Sequence, residues 1–428
     1  MIGSEDKMRM KIAEDAQVFY RSPDPKRIFG ACPNLCVLDS GRIIVTMCVF
    51  GPGIVELDVE KCVKGKLHAI EQIYISDDKG ETWRHVADAP MMHARVFKAG
   101  KSVYVLGHEW DMIVMRSDDD GETWSKSVKL TEGQIWHHEA PCNVHYQNGY
   151  VYLVMERVLA ERCKGMGTSI FAPVLMRGKC EDDLTRLENW TFASEICCLE
   201  TVDKQKCNYV GIPFYQSLET GPNVLSVRPK RKFFDLGWSE TNVVRLNDPN
   251  HAWYDSNGKT FHLFSSAYTG RSNIAAVLKV VENEDGSMTT MTETAPSGEP
   301  IVYLPFPGGS MKFYMLWDAV SGLYWLANMQ ASDSMSRPET LDPVRMALPC
   351  NETHRLVLHF SKNCVDWCFA GVIDIGENEK HSRYSPSMAV CGDDLLIFSR
   401  AADEEANCAH DSNLITMHWV RNFRSLVY

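Results

Sequence analysis

Ser117-Asp118-Asp119-Asp120-Gly121-Glu122-Thr123-Trp124 has a near twin at Ser76-Asp77-Asp78-Lys79-Gly80-Glu81-Thr82-Trp83. Both fit Ser-x-Asp-x-Gly-x-x-Trp, which sets Ser76, Asp78, Gly80 and Trp83 against Ser117, Asp119, Gly121 and Trp124. Each follows a short apolar run, Gln72-Ile73-Tyr74-Ile75 or Ile113-Val114-Met115-Arg116. A strand running into Ser-Asp-x-x-Gly reads as a hairpin: the Ser and Asp side chains bond local backbone, and Gly takes the positive-φ position. The Trp opens the return strand with an apolar face to bury. This spacing gives the two Asp residues a structural role rather than a catalytic or metal-binding one.

Working outward, a strand, a Gly turn and a more apolar strand recur. Cys32-Pro33-Asn34-Leu35-Cys36-Val37-Leu38 turns at Gly41 into Ile43-Ile44-Val45-Thr46-Met47-Cys48-Val49-Phe50. Similar pairs turn at Gly100, Gly149, Gly258, Gly322 and Gly392, and a less regular one falls within 218–247. The Gly258 pair is read with His251-Ala252-Trp253-Tyr254 as its first strand. Ser361-Lys362-Asn363-Cys364-Val365-Asp366-Trp367 is a shortened version of the opening motif. Hairpins repeated at intervals of tens of residues, with Gly turns and aromatic marks, predict a propeller. The expected fold is all-β: a single β-propeller of six or seven four-stranded blades. N- and C-terminal strands close it, because Asn413-Leu414-Ile415-Thr416-Met417-His418-Trp419-Val420 alternates and ring closure removes sheet edges. One domain over residues 1–428 is expected, with 1–15 a tail or short helix and 330–352 a long loop.

Lys+Arg is 44 and Asp+Glu is 56, a net charge of −12, without basic runs. That argues against a nucleic-acid partner. An anionic ligand would require arginines gathered locally. The 15 cysteines contain no C-x-x-C pair, which favours buried free thiols over metal sites or disulfides. No metal or cofactor is indicated. The N-terminus lacks a signal peptide's apolar region, and no run of about 18 apolar residues would span a membrane. A cytoplasmic protein is expected; oligomeric state is not legible.

In a propeller, residues before each first strand and after each second strand converge on one funnel. Here these include Arg27, His93, His138, Glu139, Glu240, Asn242, His251, Arg383 and Tyr384, then Arg157 and Arg400. Arginine gives bidentate carboxylate binding; His, Tyr and Glu move protons. The set suits an acidic carbohydrate. His108, His145, His262 and His418 read as structural, and His410-Asp411 as fixing the closing strand.

The repeated motif resembles the Asp box, and the chain resembles the sialidase-like propeller proteins of bacterial polysaccharide utilisation over nearly its whole length. Trp238-Ser239-Glu240-Thr241-Asn242-Val243-Val244, Asp248-Pro249-Asn250-His251 and Ala409-His410-Asp411-Ser412-Asn413 carry the likeness further. The resemblance implies a sugar in the central funnel and a glycoside hydrolase acting on a terminal acidic sugar. Sialidases have an Arg-Ile-Pro motif, an arginine triad, an Asp acid and a Tyr nucleophile activated by Glu. Here Arg27-Ile28 is followed by Phe29 rather than Pro. Arg157, Arg383 and Arg400 would complete the triad, and Tyr384 with Glu240 or Glu139 the nucleophile pair; Asp58 is a weak match for the acid. Two alternatives stand: a uronate lyase with His138 or His251 as base, and a non-catalytic sugar-binding propeller.

Overall fold

The computed structural model describes residues 11–57, 69–134, 140–163, 167–201, 237–268, 273–332 and 352–428. Strand β1 is Gln17–Arg21, and blade 1 holds β2 (Phe29–Val37), β3 (Ile43–Phe50), β4 (Ala69–Ser76) and β5 (Arg84–Ala89). Blade 2 holds β6 (Met92–Ala99), β7 (Ser102–Glu109), β8 (Asp111–Ser117) and β9 (Val128–Lys129). Blade 3 holds β10 (His145–Gln147), β11 (Tyr150–Val158), β12 (Phe171–Lys179) and β13 (Trp190–Phe192). Blade 4 holds β14 (Ser239–Val244), β15 (Thr260–Ser266), β16 (Ile274–Glu282) and β17 (Met288–Met291). A short ribbon of β18 (Glu293–Thr294) and β19 (Pro300–Ile301) follows, and β20 (Tyr303–Pro305) pairs with β16. Blade 5 holds β21 (Tyr314–Asp318), β22 (Leu323–Met329), β23 (Arg355–Ser361) and β24 (Cys368–Ile375). Blade 6 holds β25 (Arg383–Cys391), β26 (Asp394–Ala401) and β27 (Leu414–Val420).

Each blade is an antiparallel meander, and blade 6 takes its fourth strand from β1, with Gln17 opposite Met417. The described residues therefore form a six-bladed β-propeller, the lower of the two expected blade counts. The count falls to six because Ser239–Val244 is the first strand of the blade whose second strand is Thr260–Ser266. Residues 245–259, expected to supply that first strand, connect the two instead.

Apolar side chains pack between blades in layers. Ile44, Ile73 and Ile75 of blade 1 meet Val96, Val105 and Met115 of blade 2, and Val45 and Met47 meet Phe398 and Ile415 of blade 6. The twin motifs form the same hairpin twice. Ser76 Oγ donates to Asp78 Oδ1 (2.8 Å) and accepts from Gly80 N (2.8 Å); Thr82 N donates to Asp78 (2.9 Å). Ser117, Asp119, Gly121 and Thr123 repeat these bonds at 2.8, 2.8 and 2.9 Å. Donors from Thr82 and Thr123 hold Asp78 and Asp119 down at about 2. Trp83 and Trp124 each donate to a Gly carbonyl (3.1 Å).

The innermost strands are joined by a closed circuit of side-chain bonds, one blade to the next. Asn34 accepts from Val96 N (3.0 Å), and Arg95 Nε donates to the Cys142 carbonyl (2.9 Å). Asn143 exchanges two bonds with Val243 (both 2.8 Å). Asn242 accepts from Met315 N (2.9 Å) and donates to the Phe313 carbonyl (3.1 Å). Lys312 Nζ donates to the Pro386 carbonyl (2.6 Å) and Ser387 Oγ (2.9 Å), and Ser387 donates to the Pro33 carbonyl (2.6 Å).

One cysteine expectation is corrected. Cys163 and Cys197 are disulfide-bonded, tying the segment after β11 to the one after β13. Cys32, Cys36, Cys48, Cys142, Cys180, Cys198, Cys364, Cys368, Cys391 and Cys408 are free thiols, all of them buried or half-buried.

Candidate active site

A cavity of about 180 Å³ opens at the mouth of the channel where the innermost strands begin. Its wall has an unusual backbone. In β2, β6, β14 and β25 the pairing slips by a residue near the strand start, and the residue in each slip has positive φ: Cys32 (52°), His93 (54°), Glu240 (56°) and Ser385 (52°). All four line this cavity, as does Tyr268 (φ 51°). Of the twelve non-glycine positive-φ residues described, five thus converge on one place. Bulges re-aim side chains, and such conformations cost about 1–3 kcal/mol each, so they persist where a site requires them.

Four of the residues expected in the funnel meet here: His93, Tyr384, Glu240 and Arg400. Tyr384 and Arg400 are cross-strand partners in β25 and β26. The Arg400 guanidinium lies 5.2 Å from the ring centres of both Tyr384 and Phe50. The His410 carbonyl accepts from Tyr384 Oη (2.9 Å) and from Arg400 Nη2. Arg400 is only 6% exposed, forms no ion pair among the described residues, and its buried Nε has no acceptor. Glu71, across the strand pair from Cys48, forms no ion pair with Arg400, and burial pushes its carboxyl well above the usual carboxylate range. Glu240 accepts from Ser266 Oγ (3.2 Å), and its charge acts on buried Lys312, whose own pKa burial lowers. Burial pushes the Cys32 thiol up to about 12 and Cys48 well above its ordinary value, so neither offers a thiolate.

His410 was expected only to fix the closing strand, yet it lines the cavity. Its Nδ1 lies 3.0 Å from Asp411 Oδ1. A carboxylate there favours the tautomer with the proton on Nδ1 and fixes the ring's orientation. The adjacent His-Asp pair was the signal. His93 also lines the cavity, with Nδ1 3.1 Å from His108 Nε2.

The other expected residues lie elsewhere. Arg383 neighbours Tyr384, so strand alternation turns it to the opposite face, where it binds Asp374 (2.5 Å) and the Ala402 carbonyl (2.9 Å). Arg157 is outside the cavity wall and pairs with Glu195 and Glu161. Its neighbour Glu156 points inward and accepts from Thr241 N (2.9 Å). Arg27 is exposed and bound to Glu56. Asn242 belongs to the inter-blade circuit rather than to the cavity wall. His251 sits in the β14–β15 connection, at the far end of the blade, bonded to the Asn363 carbonyl (3.0 Å) and Trp253 N (2.9 Å). His138, Glu139, Asp58 and most of 330–352 lie outside the described residues. The arginines expected to form a triad are thus separated, and Arg400 alone of them reaches the cavity.

No protein-family model matches the chain, and no curated protein matches it by sequence. Solved structures do. An α-L-arabinanase from Penicillium chrysogenum, complexed with arabinobiose, is 12% identical over 96% of this chain and 98% of its own, with a TM-score of 0.51. A GH93 α-L-arabinofuranosidase of Fusarium graminearum, with arabinobiose, is 11% identical over 96% and 98%, with a TM-score of 0.52. A Trypanosoma rangeli sialidase, in complex with the inhibitor DANA, is 13% identical over 96% of this chain and 60% of its own, with a TM-score of 0.54. At these identities the likeness is one of fold, and fold alone does not fix chemistry.

Proposed function

We propose that this protein is a glycoside hydrolase that removes a carboxylate-bearing sugar from the end of a glycan, seated in the funnel cavity. The observation that carries the acidic part is Arg400. A buried guanidinium without a counter-ion is costly, and a bound carboxylate relieves the cost by accepting its free N–H groups. Tyr384 is the nucleophile, its ring held against Arg400. Glu240, on the strained bulge of blade 4, takes the phenolic proton. His410, oriented by Asp411, serves the leaving group or the water. That the structural neighbours include glycosidases supports the reaction class; the substrate rests on Arg400.

A second reading has its own support in the His410–Asp411 pair. A carboxylate-oriented imidazole base, a phenol and one arginine are also what uronate elimination needs: the arginine neutralises the carboxylate, the base takes the C5 proton and the phenol protonates the leaving oxygen.

The test is incubation with oligosaccharides ending in sialate, glucuronate or arabinofuranose, followed by mass spectrometry and ultraviolet absorbance. Release of the acidic sugar with gain of one water is expected. Arg400→Met should lower kcat/KM by about tenfold to a hundredfold, the worth of charge-assisted bonds to a carboxylate. New absorbance without added water would replace hydrolysis by elimination. Turnover of the arabinose substrate alone, unaffected by Arg400→Met, would remove the acidic sugar; saturable binding without turnover would leave a lectin-like propeller.

A further inference from the structure

The opposite mouth of the channel holds a second cavity, of about 300 Å³ against about 180 Å³ for the funnel. The inter-blade circuit separates the two: Asn143 and Val243 line the far cavity, and Tyr314, whose ring centre lies 5.8 Å from Lys312 Nζ, roofs it. The wall continues with His145, Tyr146 and Trp317. Residue Arg245, one step beyond β14, completes it. No ion pair or side-chain hydrogen bond engages the Arg245 guanidinium among the described residues, and its Nε is buried without an acceptor. The surrounding backbone is nonetheless fixed. Tyr324 Oη donates to the Arg245 carbonyl (2.6 Å) and accepts from Asn247 N (3.0 Å). Tyr146 is half exposed, but its hydroxyl is anchored on the Lys98 carbonyl (2.8 Å). Trp317 packs on Tyr324, ring centres 4.6 Å apart. Burial, with the nearby Arg245 charge, holds His145 below its ordinary pKa, so it is neutral and adds no competing cation.

We propose that this far mouth is a ligand site for a small ring-bearing carboxylate. Arg245 takes the carboxylate through its planar fork, and Tyr146 and Trp317 take the ring. A cavity with apolar walls and one convergent charged group has the form of a small-molecule site. Uronic and aromatic acids share this chemistry. The proposal is independent of what the funnel does.

The funnel would also attract acids, so the test uses a Glu240→Gln/Arg400→Met background. Glucuronate and benzoate are titrated calorimetrically, with glucose as the neutral control. Saturable binding of at least one acid is expected, with none of glucose; which acid binds identifies the ring. Adding Arg245→Met should weaken it by at least about tenfold. Arg245→Lys, which keeps the charge but not the fork, should fall between, and it serves if the Met variant fails to fold. Absence of acid binding in the background, or binding unchanged by both Arg245 substitutions, would overturn the proposal.

Discussion

His359 and His418 are buried, and burial holds both near pKa 4. His418 Nε2 lies 3.0 Å from Thr416 Oγ1, and His359 Nδ1 lies 3.0 Å from Asn328 Oδ1. Both rings are therefore neutral when folded, but titrate near 6.5 when unfolded. Between these values the unfolded chain binds more protons, so stability is lost as pH falls from about 6.5 through about 4. Each ring contributes on the order of 2–3 kcal/mol to that loss. Urea denaturation at pH 7 and pH 5 should show the fall, and His418→Gln should reduce it; an equal fall in the variant would locate the protons elsewhere. Residue placement was legible where the register was. Tyr384 and Arg400 could be placed together because a hairpin read correctly puts its two ends side by side. Arg383 and Arg157 could not, because sequence adjacency to an inward residue means an outward side chain on a strand.

The hairpin motif was legible in full because its bonds are local: four side chains and a glycine within eight residues fix one another. Its packing was not. A Cβ added to Gly121 (φ 88°) would lie 2.8 Å from Ile44 Cδ1 of blade 1, and one at Gly80 (φ 87°) 2.9 Å from Met417 Sδ of blade 6. Each hairpin thus leans on the preceding blade. Gly121→Ala should destabilise by about 1–2 kcal/mol through the left-handed backbone alone, with more if Ile44 cannot yield. Guanidinium denaturation measures this; a neutral result would mean that the hairpin shifts freely. The misread element was the first strand of blade 4. Ser239-Glu240-Thr241-Asn242 is polar because it faces the channel and binds its neighbours, while the connecting residues around Trp253 carry the aromatic signal of a strand. Trp253 stacks on buried His262 from outside the sheet, ring centres 5.0 Å apart.

Across the whole molecule, alternation at the C-terminus disclosed that the two ends of the chain meet. The side-chain circuit was not legible, since it joins residues that become neighbours only once blades stand side by side. Asn242 illustrates the cost of missing it: a buried amide on a channel strand reads as a ligand contact, yet it satisfies two backbone groups of blade 5. Asn242→Ala strands the Met315 N–H and the Phe313 carbonyl, and should cost roughly 2–5 kcal/mol with one cooperative transition. Unchanged denaturation would show that water replaces the amide. The pairing of β1 with β27 also sets an order in time. β1 is synthesised early, but its partner follows about 400 residues later; at roughly 5–20 residues per second, that is a wait of roughly 20–80 s. For that interval blade 6 cannot exist, and the waiting strand is an open edge on the ribosome. The vulnerability of this chain to misassembly is greatest during its synthesis, before the last strand arrives.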